Sequence, residues 1–261
     1  MFMLSLSKHF NRRPSTNNNQ PIPTIMKFLK AEWRKLAIIN YEINPEILLK
    51  YLPKGTELDF YQGKCYVSLV GFMFLNTKLL GLSIPFYRNF EEVNLRFYVK
   101  KKEGQQWKRG VVFIKEIVPK YALSAIANSV YKENYKTLKM KNQIKFTDDD
   151  LIVKYSWKDK EWYSIEITAE NKSRTMEDDS EFEFITEHYW GFTKKDDKTS
   201  EYEVCHPKWE WYMVKNHQLE IDFKQVYGSD FECLNHQKPI SVMLAEGSEI
   251  EVRTKKYLMQ K

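Results

Sequence analysis

Three polar residues alternate with apolar ones in one short segment, at Glu92, Asn94 and Arg96. In an extended chain such residues point to the same side, so an acid, an amide and a guanidinium would share one face. Arg96 could pair bidentately with a carboxylate ligand, while Glu92 could hold Arg96 or act as a general acid or base. The competing interpretation is an outward polar face that carries only a weak surface ion pair.

A second candidate group lies in residues 205–209, where His206 and Trp209 follow Cys205. Histidine titrates near neutral pH and tryptophan offers a flat apolar surface, so the two residues suit the wall of a ligand pocket. A buried core tryptophan beside a hydrogen-bonded or exposed histidine would produce the same pattern. His206 is therefore a candidate catalytic residue, and Trp209 a candidate ligand-binding residue.

Metal and cofactor sites have little support in this sequence. The histidines beyond residue 180 lack the i, i+4 spacing of helical zinc sites, and Cys205 beside His206 with Cys233 far away is not a ligand pattern. No glycine-rich phosphate loop and no Gly-x-Ser-x-Gly nucleophile elbow is present. We predict neither a metal nor a cofactor, and the pattern disfavours nucleotide hydrolysis and serine esterase chemistry.

A run of lysines with interleaved tyrosines could meet nucleic acid or an acidic partner. The formal net charge is +6, and half of it comes from residues 1–25, so the remainder is only mildly basic. We therefore predict a solvated face rather than a nucleic-acid site. The run comprises Lys132, Lys136, Lys139, Lys141 and Lys145, with Tyr131 and Tyr135 between them.

The 261 residues are 43% hydrophobic and 15% aromatic, enough to build one core-forming domain. We predict a disordered basic extension at 1–25 and a single domain at 26–261. The longest apolar run, 65–75, is well short of the roughly 20 residues that span a bilayer, so no membrane segment is expected. Three cysteines without a close pair favour a reducing compartment, and we predict a cytoplasmic protein.

The elements that must position the candidate residues are mostly strands. Asn44 and Pro45 predict the start of a short helix. Strands are expected at 58–61 and 65–74, joined at Gly63, and hairpins at 92–100 with 111–118 and at 151–157 with 162–168. Helical spacing predicts a main helix at 121–133. Further extended segments are expected at 182–192, 202–214, 240–244 and 249–253, with a loop at 177–183 and a turn at Gly247.

About ten strands against two helices predict an α+β fold that is predominantly antiparallel β, with a closed or nearly closed sheet. Several ordered blocks between residues 26 and 253 resemble the YqjF-like DUF2071 family of the acetoacetate decarboxylase-like superfamily. The blocks include Trp33, Asn44-Pro45, residues 92–99, residues 110–113, Thr186-Glu187-His188-Tyr189 and His206-Pro207-Lys208-Trp209.

The resemblance implies a cone-like β-barrel core that encloses a pocket for a small keto acid. Acetoacetate decarboxylase forms a Schiff base through the first of two adjacent lysines, and it is a standard example of a lysine activated by a neighbouring cation. Here Tyr135 stands at the place of that lysine and Lys136 at the place of its neighbour. Tyrosine has no amine and cannot form an imine, so decarboxylation by that route is not expected. Glu92 matches an acid that lines the decarboxylase pocket.

Three hypotheses follow. The first is a domain that binds an organic acid or polar metabolite, with any catalysis being lyase- or hydrolase-like acid or base chemistry by Glu92 or His206. The second is a non-catalytic binding or assembly module, whose expected partner is a second copy of the same chain. The third is a Schiff-base lyase that uses Lys136. The ligand-binding residues expected under the first hypothesis are Glu92, Asn94, Arg96, Tyr98, Tyr135 and Trp209.

Overall fold

The structure is a computed structural model that describes residues 27–83, 85–119, 134–195 and 198–258. The predicted extension at 1–25 and the predicted main helix at 121–133, which includes Lys132 of the basic run, lie outside the described residues.

The described chain consists mainly of strands. Its helices are α1 (Pro45–Leu49), α2 (Glu181–Thr186), α3 (Phe223–Tyr227) and a 3-10 helix at Ser229–His236. Within this part of the chain, no helix has the length and apolar character needed to cross a membrane. The strands are β1 (Lys27–Glu42), β2 (Glu57–Leu58), β3 (Phe60–Tyr61), β4 (Lys64–Leu79), β5 (Phe90–Glu103), β6 (Gln106–Val118), β7 (Tyr135–Thr137), β8 (Lys139–Phe146), β9 (Asp150–Lys158), β10 (Trp162–Arg174), β11 (Trp190–Lys195), β12 (Lys198–Cys205), β13 (Trp211–Glu220), β14 (Ser241–Arg253) and β15 (Lys256–Tyr257).

Seven strands form a closed ring. Their order is β12, β11, β6, β5, β4, β1 and β14, and β14 pairs with β12 to close it. Most pairs are antiparallel, whereas β11 and β7 lie parallel to β6. A four-stranded arm, β13-β10-β9-β8, continues from the same β14. The predicted antiparallel α+β class is confirmed, and the ring is compatible with the predicted cone-like core.

Two apolar cores use opposite faces of the ring strands. Val67 and Leu69 of β4 join a core shared with the arm and with α3, whereas Val70 and Phe72 join the core that surrounds the ring interior. Strand β5 divides in the same way, because Val93, Leu95, Phe97 and Val99 all belong to the first core. A strand between two cores must be apolar on both faces unless polar groups are satisfied internally. This explains the nearly continuous apolar run of β4.

Several predicted elements are confirmed. Asn44 caps α1, since its side chain accepts a hydrogen bond from the Glu46 amide at 3.0 Å, and Pro45 occupies the first turn. The hairpins β5–β6 and β9–β10 pair as expected. The predicted pairing of 58–61 with the following strand holds only for β3, because β2 pairs with β5 instead.

Other segments differ from the prediction. Residues 181–186 of the expected loop and strand form α2, because Ser180 accepts a hydrogen bond from the Glu183 amide at 3.1 Å and Glu183 accepts one from the Asp179 amide at 2.7 Å. The expected segment 202–214 is divided between β12 and β13 by residues 206–210. Three lysines of the basic run, Lys139, Lys141 and Lys145, are exposed on β8, at the end of the strand order, where charge discourages edge pairing.

Gly247 does not form the predicted turn but lies within the continuous strand β14, opposite Arg34 of β1. Its φ is +81°, and β1 is irregular at the same level, with Lys35 at φ +56°. A Cβ atom at Gly247 would lie 2.0 Å from the Trp33 carbonyl oxygen. The close approach of two backbones, rather than a reversal of direction, explains why glycine is needed here.

The substitution Gly247→Ala is expected to destabilise the protein by about 3 kcal/mol or more, because backbone atoms of β1 would have to move. Gly104→Ala provides the matched control, since Gly104 also has a positive φ, +63°, but has open space around it. The control should cost only about 1–2 kcal/mol. Urea unfolding of both variants measures the difference, and equal losses would contradict the steric explanation.

Candidate functional site

A cavity of about 140 Å³ lies within the ring. One part is aromatic and aliphatic, with Trp33 against Phe72 at 5.2 Å between ring centroids and Phe74 stacked on Phe90 at 4.7 Å. The other part is polar. The polar and titratable side chains among the described lining residues are Thr77, Tyr87, Glu92, Asn94, Arg96, Glu116, Tyr135, Thr186, His188, Tyr202 and His206.

The polar face of β5 supplies the centre of the site. Glu92, Asn94 and Arg96 are only 2%, 1% and 8% exposed, so the face predicted from alternation is turned to the ring interior and not to solvent. Asn94 Nδ2 donates to Glu92 Oε1 at 2.9 Å, and Tyr135 Oη lies 3.4 Å from Glu92 Oε2. The carboxylate therefore accepts from two neighbours on the cavity wall.

A bulge in β6 brings a second acid to the cavity. Leu95 pairs with Lys115 and Arg96 with Phe113, so Ile114 is an extra residue in β6. Val111 and Phe113 line the cavity before the bulge, and Glu116 lines it after the bulge. Without the extra residue, strict alternation would place Lys115 on the cavity side. Instead the Lys115 ammonium donates to the carbonyl of Val226.

Arg96 lies beyond Asn94 on the same face. Its Nη2 donates to the carbonyl oxygen of Ile185 at 3.3 Å, and its guanidinium carbon lies 5.7 Å from the ring centre of Tyr98. Within the described structure, its Nε has no hydrogen-bond partner. The carbonyl of the short helix α2 thus holds one edge of the guanidinium and leaves bonding capacity for a ligand.

His188 lines the cavity and contacts the buried carboxylate of Asp59, which is paired with the partly exposed Arg109. Its Nε2 lies 3.2 Å from Asp59 Oδ2, which also accepts from Arg109 Nε at 2.7 Å. The His188 ring packs against Tyr98 at 4.8 Å and Phe184 at 5.1 Å between centroids. Because a carboxylate only accepts, His188 Nε2 carries the proton and its Nδ1 bears the lone pair.

Burial and hydrogen bonding together determine the charges of His188 and Asp59. Burial lowers the pKa of His188 to about 4, although the hydrogen bond that His188 donates to Asp59 acts in the opposite direction. Burial alone would raise the pKa of Asp59, but hydrogen bonds from His188 and Arg109 outweigh it and hold that pKa below its usual value. The histidine is therefore neutral at pH 7, while the carboxylate is ionised.

His206 and Trp209 form another part of the wall. Their rings stack with centroids 4.2 Å apart, and Tyr189 lies 4.7 Å from His206 on another side. Trp209 Nε1 donates to Ser248 Oγ at 2.8 Å, and His206 Nδ1 donates to the carbonyl of Pro207 at 2.9 Å. Burial lowers the pKa of His206 to about 4, so this ring is also neutral at pH 7.

The structure brings six of the predicted site residues to one cavity and leaves two outside its lining. Tyr98 lies on the same face of β5, but Phe184 and His188 cover it, and its hydroxyl lies 2.8 Å from Ser68 Oγ. Lys136 follows Tyr135 on β7 and points to the opposite side, where its ammonium lies 3.0 Å from Asp159. The six residues in the lining are Glu92, Asn94, Arg96, Tyr135, His206 and Trp209.

Sequence reasoning missed Glu116 and His188 as cavity residues. Glu116 depends on the bulge, which leaves no mark in the alternation of β6. His188 belongs to one of the blocks that carry the family resemblance, but its partner Asp59 is 129 residues distant in the chain, so no local spacing could reveal the pair. Among the described residues, no group of three or more histidine, cysteine or acidic side chains is arranged to hold a metal ion.

The fold is similar to that of solved acetoacetate decarboxylases. The chain superposes on acetoacetate decarboxylase from Legionella pneumophila with a TM-score of 0.61 and 14% identity, covering 97% of this chain and 98% of that one. It also superposes on the enduracididine biosynthesis enzyme MppR complexed with pyruvate, with a TM-score of 0.60 and 11% identity, covering 94% and 95%. The chain therefore has an acetoacetate decarboxylase-like fold.

Comparison of the sequence identifies the family of the chain, which is narrower than the fold. The model of DUF2071, a family described as an uncharacterized conserved protein, matches residues 30–249, and the chain belongs to this family. It is 25% identical over 224 residues to the uncharacterized protein YqjF of Bacillus subtilis (strain 168), covering 85% of this chain and 89% of that protein. The resemblance drawn from the sequence blocks is confirmed.

Stability should fall as the pH is lowered from about 6.5 towards 4. In that window the unfolded chain protonates His188 and His206, whereas the folded chain keeps both neutral, so protonation favours unfolding by on the order of 1–3 kcal/mol for each histidine. Urea unfolding at pH 7 and pH 5 measures the loss. His188→Gln should reduce this pH dependence, and an unchanged dependence would show that His188 is not buried in its neutral form.

Proposed function

We propose that the ring cavity binds a small organic acid whose carboxylate pairs with Arg96. The observation that carries the proposal is the position of this guanidinium. Arg96 is the only lysine or arginine among the described lining residues, and it is nearly buried. In such surroundings a charge-assisted bidentate pair with a carboxylate is stronger than in water.

The size of the cavity limits the ligand. An apolar cavity of about 150 Å³ is known to hold benzene, so about 140 Å³ suits a molecule of roughly six to eight non-hydrogen atoms. The aromatic part would contact a short apolar chain, while Glu92 and Asn94 orient polar substituents. A related fold complexed with pyruvate, in MppR, is consistent with a short acid.

Any catalysis in this cavity would be acid or base chemistry by Glu92 or His206. Glu92 is within hydrogen-bond distance of Asn94, and the neutral His206 ring retains a basic nitrogen. Covalent catalysis through an imine has less support, because no lysine is among the described lining residues.

A binding or assembly module without chemistry is the second candidate. It is favoured by the exposed apolar side chains Leu80, Leu82 and Phe86 between β4 and β5, which are 56%, 73% and 87% exposed. Exposed apolar groups close together often mark contact surfaces. Self-association and a cytoplasmic location stay predictions.

A thermal-shift screen of the full chain against short carboxylic and keto acids tests the anion site. At a ligand concentration about 100-fold above the Kd, binding should add about 2.7 kcal/mol, which raises the Tm by roughly 5 °C or more. Arg96→Met should abolish the shift, because the carboxylate loses its partner. Arg174→Met is the matched control, since Arg174 lies on β10 and does not line the cavity. A shift that survives Arg96→Met would contradict the proposal.

Borohydride reduction in the presence of 2-oxobutyrate tests the Schiff-base alternative. We expect no adduct on Lys136, because its ammonium pairs with Asp159 outside the cavity lining. Peptide mass spectrometry after digestion locates any modified lysine. A stoichiometric adduct at Lys136 would support the lyase hypothesis and contradict the placement of this side chain.

A further inference from the structure

Three side chains of the cavity lining, Asn94, His188 and His206, each donate a hydrogen bond to a group that can only accept. Asn94 donates through Nδ2 to the Glu92 carboxylate, which fixes the orientation of the amide. His188 donates through Nε2 to the Asp59 carboxylate, and His206 donates through Nδ1 to the carbonyl of Pro207. The amide orientation and both tautomers are thus set by the surrounding structure.

Each of the three side chains keeps one hydrogen-bond acceptor atom that is not used in these bonds. Asn94 Oδ1 and His188 Nδ1 are buried and have no hydrogen-bond partner in the described structure. The lone pair of His206 remains on Nε2, and His206 is the least buried of the three residues. A buried acceptor without a donor is costly, and such groups in native proteins are commonly satisfied by water or a ligand. A donor that enters the cavity would meet this need.

We infer that the ligand is a short hydroxy acid, with its carboxylate at Arg96 and its hydroxyl donating to one of the acceptors that Asn94, His188 and His206 present in the cavity lining. The inference rests on the proposed function, because it takes the Arg96 anion site as given. A keto acid of the same length could pair with Arg96, but its carbonyl oxygen only accepts and would face these acceptors without a donor.

The hydroxyl is preferred to an ammonium group as the donor. The positive charge of Arg96 acts on both imidazoles, since it contributes to lowering the pKa of His188 and of His206. A second cation placed near these rings would be repelled by Arg96. A neutral hydroxyl supplies the proton without adding charge.

The test compares three acids of equal chain length, 2-hydroxybutyrate, 2-oxobutyrate and butyrate, by calorimetric titration of the full chain. We expect 2-hydroxybutyrate to bind at least about ten-fold more tightly than either of the others, as expected when a site forms a hydrogen bond that the analogue cannot make. Binding of 2-oxobutyrate as tightly as 2-hydroxybutyrate would overturn the inference while leaving the anion site intact. If none of the acids binds, the proposed function fails and the inference fails with it.

Two variants locate the preference. His206→Phe keeps an aromatic ring to stack on Trp209 but removes the acceptor, so it should lower the affinity for 2-hydroxybutyrate towards that of butyrate, with butyrate itself little changed. His217→Phe is the control, because His217 is exposed on β13 and does not line the cavity. Asn94→Leu removes a second acceptor with similar side-chain volume. A ten-fold preference that persists in both His206→Phe and Asn94→Leu would contradict the assignment of the acceptors.

Discussion

Strand β5 has two buried faces, and this constraint determines the rest of the site. Its apolar face packs against the arm strands, so its other residues must face the interior of the ring. Burying an acid, an amide and a guanidinium there is costly unless they satisfy one another or a ligand. The observed contacts do part of this, since Asn94 donates to Glu92 and Arg96 donates to the Ile185 carbonyl. The polar interior is therefore a consequence of closing the sheet around β5.

Elements from distant parts of the chain complete this interior. Helix α2 supplies the carbonyl that holds Arg96, and the residues directly after it place His188 against Asp59. The bulge in β6 changes which residue of that strand faces inward, so that Glu116 replaces Lys115. A single extra residue thus makes the cavity more acidic and removes a lysine from it.

The sequence predicts what depends on local pattern. Alternation along β5 identifies Glu92, Asn94 and Arg96, and Asn44 with Pro45 identifies α1. It fails where geometry depends on contacts between distant segments. Tyr98 continues the same alternation but is covered by Phe184, which no spacing within β5 could show. Glycine is typical of turns, but Gly247 lies within β14, where it allows the close approach of the β1 backbone.

Strand β1 is the longest strand that the sequence pattern does not predict, and it too depends on contacts between distant segments. Strand β1 runs for 16 residues, but its register shifts near Lys35, so its apolar residues do not keep one regular period. Charged residues of β1 such as Glu32 and Arg34 pair with each other on a partly exposed face, which further obscures the pattern. Irregular strands in a closed ring are predictable only when their neighbours are known.

The most direct test of the central claim is a crystal structure of the protein soaked with 2-hydroxybutyrate. We expect electron density for the acid within the ring, with its carboxylate on the Arg96 guanidinium and its hydroxyl within hydrogen-bond distance of His206, His188 or Asn94. Density for the acid only outside the ring, with Arg96 still bonded to the Ile185 carbonyl and water alone in the cavity, would contradict it.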